Sequence, residues 1–478
     1  MLRHVSAGAG LGEADAAGEA DAAGLGASAG ARAGWAAKAG KTSASTMGAK
    51  NAAARTKGRV SMNRLPTRSR SENPSPERRN PGYGSVRSTT IPHTSAAFVV
   101  LLGVLTTLPP LSIDIALPAL PAIASALHAP SAAMQATLSV FIFAFGAGQL
   151  VMGPLSDRYG RRPVLLAGLT LFTVAGLVCT LTADVRLLIA ARVVQGFGAC
   201  AGTVIARAIV QDVSADRARA ASLQGYVSGV TSLAPVIAPL LGAAVLAVLG
   251  WRPLYGVLVV AGIALLAAVR FLLPETSPRA ARDLGAAYAR VLRLPRTIPL
   301  ALFVSCMFGA YFALISGSPF ALVTQMHVPS GLYAVAFALN ACALLTGSFG
   351  GARVARRVGP ERLFRFGVVF AVIAGIATCA LDALAPNPVG FVATFALVAF
   401  ASGIAMPNAY AAALADAGTD AGLASGLLGA SQMIGGGIGS AIAGVLPFPP
   451  AESIGIVVLV GTLGASAAYA WSGRTRAK

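Results

Sequence analysis

The chain has 478 residues, 55% hydrophobic and 12% charged, with a mean hydropathy of +0.71 and a formal net charge of +19. Soluble globular domains run near 45–50% apolar and about 25% charged, so the composition excludes an ordinary soluble domain and points to a membrane protein. The basic excess would suggest nucleic acid in a soluble protein. Its distribution excludes that partner: 14 Lys/Arg stand against 6 Asp/Glu in residues 1–95, and the remainder falls mostly in short breaks between apolar runs.

Residues 1–94 are rich in Ala, Gly, Ser, Arg and Pro, as in "RSRSENPSPERRNPGYGSVRS". Such a leader buries too little apolar surface to offset its ordering entropy, and disorder is expected. It lacks the apolar core of a signal peptide. Glu13, Asp15, Glu19 and Asp21 argue against a transit peptide, and Met47 and Met62 are internal candidates for the start.

From residue 96 apolar runs of about 20 residues recur, each long enough to cross a hydrocarbon core of about 30 Å as a helix. Twelve spans are expected, near 96–117, 134–154, 163–182, 187–209, 221–245, 252–272, 297–321, 331–352, 362–383, 388–411, 423–446 and 453–471. The fold class is therefore an all-α membrane protein. Alternate breaks hold Arg158, Arg161 and Arg162; Arg217 and Arg219; Arg279, Arg282, Arg290, Arg293 and Arg296; Arg353, Arg356, Arg357, Arg362 and Arg365. The tail adds Arg474, Arg476 and Lys478, whereas the opposite breaks hold only Arg186 and Arg252. The positive-inside rule then places both termini in the cytoplasm.

The longest internal break divides the chain into a six-span half (95–273), a cytoplasmic linker (274–296) and a second six-span half (297–478). At an offset of 199, "GPLSDRYGRRP" (153–163) falls on "ARVARRVGPER" (352–362), with Gly160 over Gly359 and Arg356 in the place of Asp157. Two such halves point to a duplicated transporter. Cys179, Cys200, Cys306, Cys342 and Cys379 lie scattered in apolar segments and read as small buried hydrophobes. His4, His93, His128 and His327 all lie outside the spans, and no metal site is readable.

The stretch 153–163 can be read physically. Gly153 lets spans two and three approach, and Gly160 permits a tight reversal. The arginines obey the positive-inside rule. Asp157 is the odd residue out; it can bind an arginine on a neighbouring helix or a helix N-terminus, and so latch one face of a transporter. Asp114 lies roughly 26 Å along span one from Ala97, and Arg192 about 9 Å below Arg186 in span four. Charges inside a span usually face a cavity, a partner or a pathway, so a pair is geometrically open. The alternatives are an interfacial Asp114 capping its helix near Pro118 and Pro121, and a snorkelling Arg192.

Elimination favours Asp114 as a proton carrier: the other acids beyond residue 95 fall at span ends or in breaks, Asp382 among them at an outer end. Pro109 and Pro110 should interrupt span one, and Pro235 and Pro239 span five. Span eleven, "GLLGASQMIGGGIGSAIAG", reads as a small-residue packing face. Candidate cavity groups for an amphipathic ligand are Gln149, Gln195, Tyr226, Tyr255, Tyr311, Asn340, Asn408 and Gln432, with helical spacing leaving cavity-facing and lipid-facing positions indistinguishable.

Several of these stretches resemble signatures of one family. "GPLSDRYGRRP" is similar to the loop motif of the major facilitator superfamily, carried here by Gly153, Asp157, Arg158, Gly160, Arg161 and Arg162. "LIAARVVQGFGA" (188–199) resembles its fourth-helix motif with Arg192. "SLAPVIAPLLG" (232–242) resembles the fifth-helix motif of antiporters through Pro235, Pro239 and Gly242, with Ala238 where the motif has glycine. "LSIDIALPALPAIA" (111–124) and "FAFGAGQLVMGPLSDRYGRRPVLL" (143–166) resemble the bicyclomycin and chloramphenicol resistance (Bcr/CflA) group. The resemblance covers about 96–472.

It implies a bacterial inner-membrane carrier that exchanges small amphipathic drugs for protons, driven by the proton gradient without a cofactor. It implies proton-coupling roles for Asp114 and Arg192, and a monomer in the lipid bilayer. Thr106 stands where some relatives carry a second acid, which favours neutral or zwitterionic drugs over cations. A metabolite exporter or proton symporter is the alternative within transport. A channel or receptor on this fold would not need Asp114 to titrate. An intramembrane enzyme would need catalytic clusters that the spans lack.

Overall fold

The computed structural model describes residues 95–214, 217–276 and 284–476. The expected leader, with its acidic residues and alternative starts, lies outside them, as do Asp216, Arg279, Arg282 and Lys478 and the side chains of Arg217 and Arg476.

Twelve long helical segments follow one another. Spans one to six are Ala96–Ala126, Ser131–Tyr159, Arg161–Leu181, Val185–Asp212, Arg219–Leu249 and Arg252–Leu272. Spans seven to ten are Thr297–Gln325, Ser330–Val358, Pro360–Leu384 and Pro388–Ala417, and span twelve is Pro450–Thr475. Among the described residues these eleven are long and apolar enough to cross a membrane. The remaining segment, Ala421–Val445, is span eleven. Its glycines dilute its hydropathy, yet it packs between spans two and seven as the expected small-residue face. Large apolar side chains such as Val248, Leu384 and Val389 are at least 80% exposed around the outside, which suits hydrocarbon and not water.

The packing is duplicated. Span two lies on four, three on four and three on six; in the second half, eight lies on ten, nine on ten and nine on twelve. The halves meet through two equivalent contacts, two against eleven and five against eight. The first is pinned by Ser139 Oγ donating to Ser440 Oγ at 2.8 Å. The halves also touch where the tail of span one, Leu120–Ala126, meets the tail of span seven, Phe320–Gln325. That contact lies at the end opposite Gly160 and Gly359.

The offset of 199 is visible in the backbone. Gly160, at φ 104°, is the single residue between spans two and three, and Gly359, at φ 87°, is the single residue between eight and nine. Side chains rarely adopt these conformations, so glycine makes each reversal possible. The charged stretch is therefore a one-residue turn whose flanks are helical, and not an extended loop. The same offset carries His128 onto His327, the two non-glycine residues with positive φ among the described residues, and Pro130-Ser131 onto Pro329-Ser330 at the starts of spans two and eight.

Other expectations change. Span one runs helically through Pro109 and Pro110 and ends its α-helix at Asp114; a 3₁₀ turn at Leu117–Ala119 and a short helix follow. Span five divides at Ser232 and Leu233, upstream of both prolines, with Pro235 in the first turn of the second piece and Pro239 inside it. Pro235 is tolerated there because the first-turn N–H groups have no intrahelical partner anyway. Gly153 faces Val204 of span four with room for a methyl group, so it does not serve an approach of spans two and three. Cys179 and Cys200 are buried as expected and Cys306 and Cys379 half-buried, but Cys342 is exposed on span eight.

Candidate functional site

The break after Asp114 organises the first constellation. Ile115 packs its backbone carbonyl against Gly242 of span five, where a Cβ would collide with it. The helix-five stretch thus forms the seat for the broken end of span one. Asp114 itself is 5% exposed and makes no hydrogen bond or ion pair with a described residue. It faces the second half, within electrostatic reach of Tyr311 and Tyr333. Those two rings belong to an aromatic cluster with Phe337 and Phe395, at centroid spacings of 6.2 Å. Asn340 Nδ2 donates to the Tyr311 hydroxyl at 3.2 Å, and Ser318 lies 3.2 Å from that of Tyr333.

Arg192 is fully buried, and its partner is Ser112, not Asp114. Nη1 donates to Ser112 Oγ at 2.8 Å and to Gln195 Oε1 at 2.7 Å; Nη2 donates to the Ser112 carbonyl at 3.3 Å. The guanidinium sits 4.1 Å from the ring centroid of Phe141 and 5.9 Å from that of Tyr255. Aromatic faces and oriented dipoles thus compensate a charge that no carboxylate reaches. Its Nε and the Gln195 amide nitrogen have no hydrogen-bond partner.

The second constellation surrounds Gly160. Arg161 is its hub: it forms an ion pair with Asp157, bonds Asp212 Oδ2 at 2.9 Å and donates to Ser156 Oγ at 2.7 Å. Glu275 caps span three by accepting the backbone N–H groups of Arg161 and Arg162 at 2.8 and 3.2 Å. A carboxylate at that end complements the helix dipole. The Arg162 guanidinium reaches the carbonyl of Arg270, while Arg158 is exposed over the Tyr159 ring. All of these partners lie in the first half except Glu275, at the start of the linker. The linker is tied to the second half, with Arg290 paired to Asp420 and Arg296 to Asp416.

The expected cavity residues disperse. Gln195 and Tyr255 belong to the shell of Arg192, and Tyr311 and Asn340 to the aromatic cluster facing Asp114. Gln149 lies in the two–eleven interface against Gly429. Gln432 accepts from Tyr410 at 2.7 Å, and Asn408 donates to the Ile404 carbonyl at 2.7 Å while lining a cavity of about 470 Å³ inside the second half. Tyr226 is 66% exposed and turned about 200° around its helix from Gln224 and from Ser228, away from the cavity those residues line.

That inter-half cavity, about 290 Å³, is walled by Thr203 and Arg207 of span four, Gln224 and Ser228 of span five, and Leu344 and Leu345 of span eight. Sequence reasoning expected a central cavity but missed Arg207 in its wall, although Arg207 is a charge within an apolar run, which is itself a signal. It also missed Glu275 as a helix cap and the burial of Asp382. Asp382 does sit near the end of span nine, but it is 1% exposed, with Oδ2 unpartnered beside Gly455 of span twelve.

Two six-helix halves related by a fixed sequence offset, with a cavity between them and a buried acid at the break of span one, define a membrane carrier. The Major Facilitator Superfamily sequence model matches residues 102–440, and the chain belongs to that family. It is a multi-pass transporter and not an enzyme. The "Uncharacterized MFS-type transporter YdgK" of Bacillus subtilis (strain 168) is 32% identical over 357 residues, 73% of this chain and 89% of that protein. A "Chloramphenicol resistance protein" of Pseudomonas aeruginosa is 33% identical over 312 residues, 64% of this chain and 74% of that one. The "Multidrug resistance protein MdtL" of Escherichia coli (strain K12 / DH10B) is 32% identical over 71% of this chain and 86% of its own. In fold the chain is similar to the crystal structure of a bacterial homolog to the human lysosomal transporter Spinster, inward-facing and occupied. The TM-score is 0.65 at 18% identity, covering 81% of this chain and 98% of that one.

Proposed function

We propose that this chain is a proton-coupled antiporter of the bicyclomycin and chloramphenicol resistance type, exporting small amphipathic drugs from a bacterial cytoplasm across the inner membrane as a monomer. Both termini lie in the cytoplasm, the proton gradient supplies the energy, and the halves 95–273 and 297–478 tilt about the cavity with 274–296 as their cytoplasmic link. The names of two of the relatives, a chloramphenicol resistance protein and a multidrug resistance protein, support drugs as the substrate class.

The observation that carries the reading is the placement of Asp114. It is a buried acid at the point where span one breaks, seated on the helix-five stretch and facing the opposite half across the closed end. A group so placed takes a proton from outside when that end opens and gives it up inside when the halves exchange contacts. Arg192 does not pair with it in this conformation; it positions the end of span one through Ser112. Asp157 is held by Arg161 here and is free to be drawn toward the second half when the opposite end closes.

The test is drug-induced proton movement in energised everted vesicles, followed with a fluorescent amine after adding chloramphenicol, florfenicol or bicyclomycin. Collapse of the gradient in wild type and not in Asp114→Asn is expected. Collapse in both keeps the antiporter and removes Asp114 as carrier. No response to any of the three moves the reading to a metabolite exporter or symporter of the same fold.

A further inference from the structure

We propose that the inter-half cavity is a binding site for the anionic group of an amphipathic organic acid, with Arg207 as the charge that recognises it and Thr203 as a second donor. The inference rests on the transporter reading and names a substrate class for it: carboxylates, or zwitterions presenting a carboxylate, carried on an apolar body.

Arg207 and Thr203 stand one helical turn apart on span four, and both face the cavity. Among the described residues no acid lines the cavity, and Arg207 forms no ion pair with any of them. The nearest acid on its helix, Asp212, is occupied by Arg161 at 2.9 Å. In the second half Tyr410 of span ten is within electrostatic reach of Arg207, and its hydroxyl proton is committed to Gln432. Thr203 supplies the independent observation. It is 6% exposed, lines the same cavity, and its Oγ1 has no hydrogen-bond partner among the described residues. A buried polar atom without a partner is costly, and the hydroxyl is free to donate to a ligand.

The rest of the lining suits such a molecule. Leu344 and Leu345 of span eight offer apolar surface, and Gln224 and Ser228 of span five add polar groups. The cavity therefore combines a charge with surface that covers hydrocarbon. An arginine in such a setting makes charge-assisted, geometrically specific bonds to a carboxylate.

The experiment is calorimetric titration of the purified, detergent-solubilised protein with two isosteric pairs: indole-3-acetate against indole-3-acetamide, and phenylacetate against phenylacetamide. Wild type should bind each acid about tenfold more tightly than its amide, the discrimination a charge-assisted bond supplies. Arg207→Gln should bring that ratio to about one, while Arg207→Lys, checked for monodispersity, should keep part of it. Equal binding of acid and amide by wild type, no binding of either acid, or an undiminished preference in Arg207→Gln would overturn the site. Vesicle assays with chloramphenicol separate the two readings: drug-driven proton movement without acid preference leaves the antiporter and sinks the anion site. Acid preference without drug-driven movement does the reverse.

Discussion

Arg192 holds Ser112 twice, through the hydroxyl at 2.8 Å and through the backbone carbonyl at 3.3 Å, two residues before Asp114. The carbonyl belongs to the last turn of an α-helix, where acceptors lack intrahelical partners. The arginine therefore fastens the end of span one to span four and sets where the buried acid stands. This differs from a charge pair: the two groups are linked through the backbone and do not neutralise one another.

The link predicts an order of effects. Arg192→Gln removes both bonds to Ser112 and leaves a polar group in the aromatic shell of Phe141 and Tyr255, so drug-driven proton movement should be lost. Hydrogen bonds to charged groups contribute about 1.5–3 kcal/mol, and thermal unfolding in detergent should fall accordingly. Ser112→Ala keeps the carbonyl acceptor and should lower transport only several-fold. Equal loss in the two variants would show that the hydroxyl, and not the backbone clamp, is what matters.

Asp382 provides the comparison for Asp114. Both are buried carboxylates near helix ends, but Asp114 faces the opposite half, whereas Asp382 lies against Gly455 within its own half. A group that does not face the moving interface has no reason to change surroundings during transport. Asp382→Asn should therefore retain drug-driven proton movement at near wild-type rates and gain thermal stability, since burying an ionisable group without a partner is unfavourable. Loss of coupling in Asp382→Asn with retention in Asp114→Asn would transfer the proton-carrying role to the second half.

The repeat yields a matched pair. Gly160 and Gly359 occupy equivalent turns at φ 104° and 87°, conformations whose cost for a side chain is about 1–3 kcal/mol. Around Gly359 a methyl group meets open space, while at Gly160 it meets the Glu275 carboxylate that caps span three. Both alanine variants should lower the thermal midpoint in detergent, Gly160→Ala by more. Gly160→Ala/Glu275→Gln should not abolish the difference, because glutamine keeps the bulk that meets the methyl group and loses the charge that complements the helix dipole.

Much of this architecture was legible in the chain because a bilayer leaves few solutions: runs of about 20 apolar residues must be helices. The duplication was legible at Gly160 and Gly359, and it was equally written in His128-Ala-Pro-Ser131 and His327-Val-Pro-Ser330. Asp114 stood out because a charge in an apolar run needs a reason. What stayed hidden was partnership. Ser112 lies 80 residues from Arg192, and nothing in the sequence of a mostly apolar helix says which face meets which neighbour. The breaks in spans one and five fell away from their prolines for a related reason. Neighbouring helices can accommodate a lost hydrogen bond, so proline marks a weak point and tertiary packing decides where the helix yields.

The seat beneath the break is the last test. Gly242 lies against the Ile115 carbonyl, one residue beyond Asp114, and the backbone there cannot move aside as a flexible side chain would. Gly242→Ala forces a methyl group into that contact, and overpacking of this kind costs typically about 1–3 kcal/mol. The cost falls on the conformation in which spans one and five are pressed together. The balance between the two ends of the transport cycle should then shift by roughly 5–150-fold. Gly256→Ala in span six, where a methyl group meets open space, is the control. Cysteine accessibility measured separately from each side of the membrane should move toward the opposite-facing state in Gly242→Ala alone, with drug-driven proton movement reduced in step. Unchanged accessibility in both variants would mean that span one does not depend on this seat, and the coupling of Asp114 to helix five would have to be abandoned.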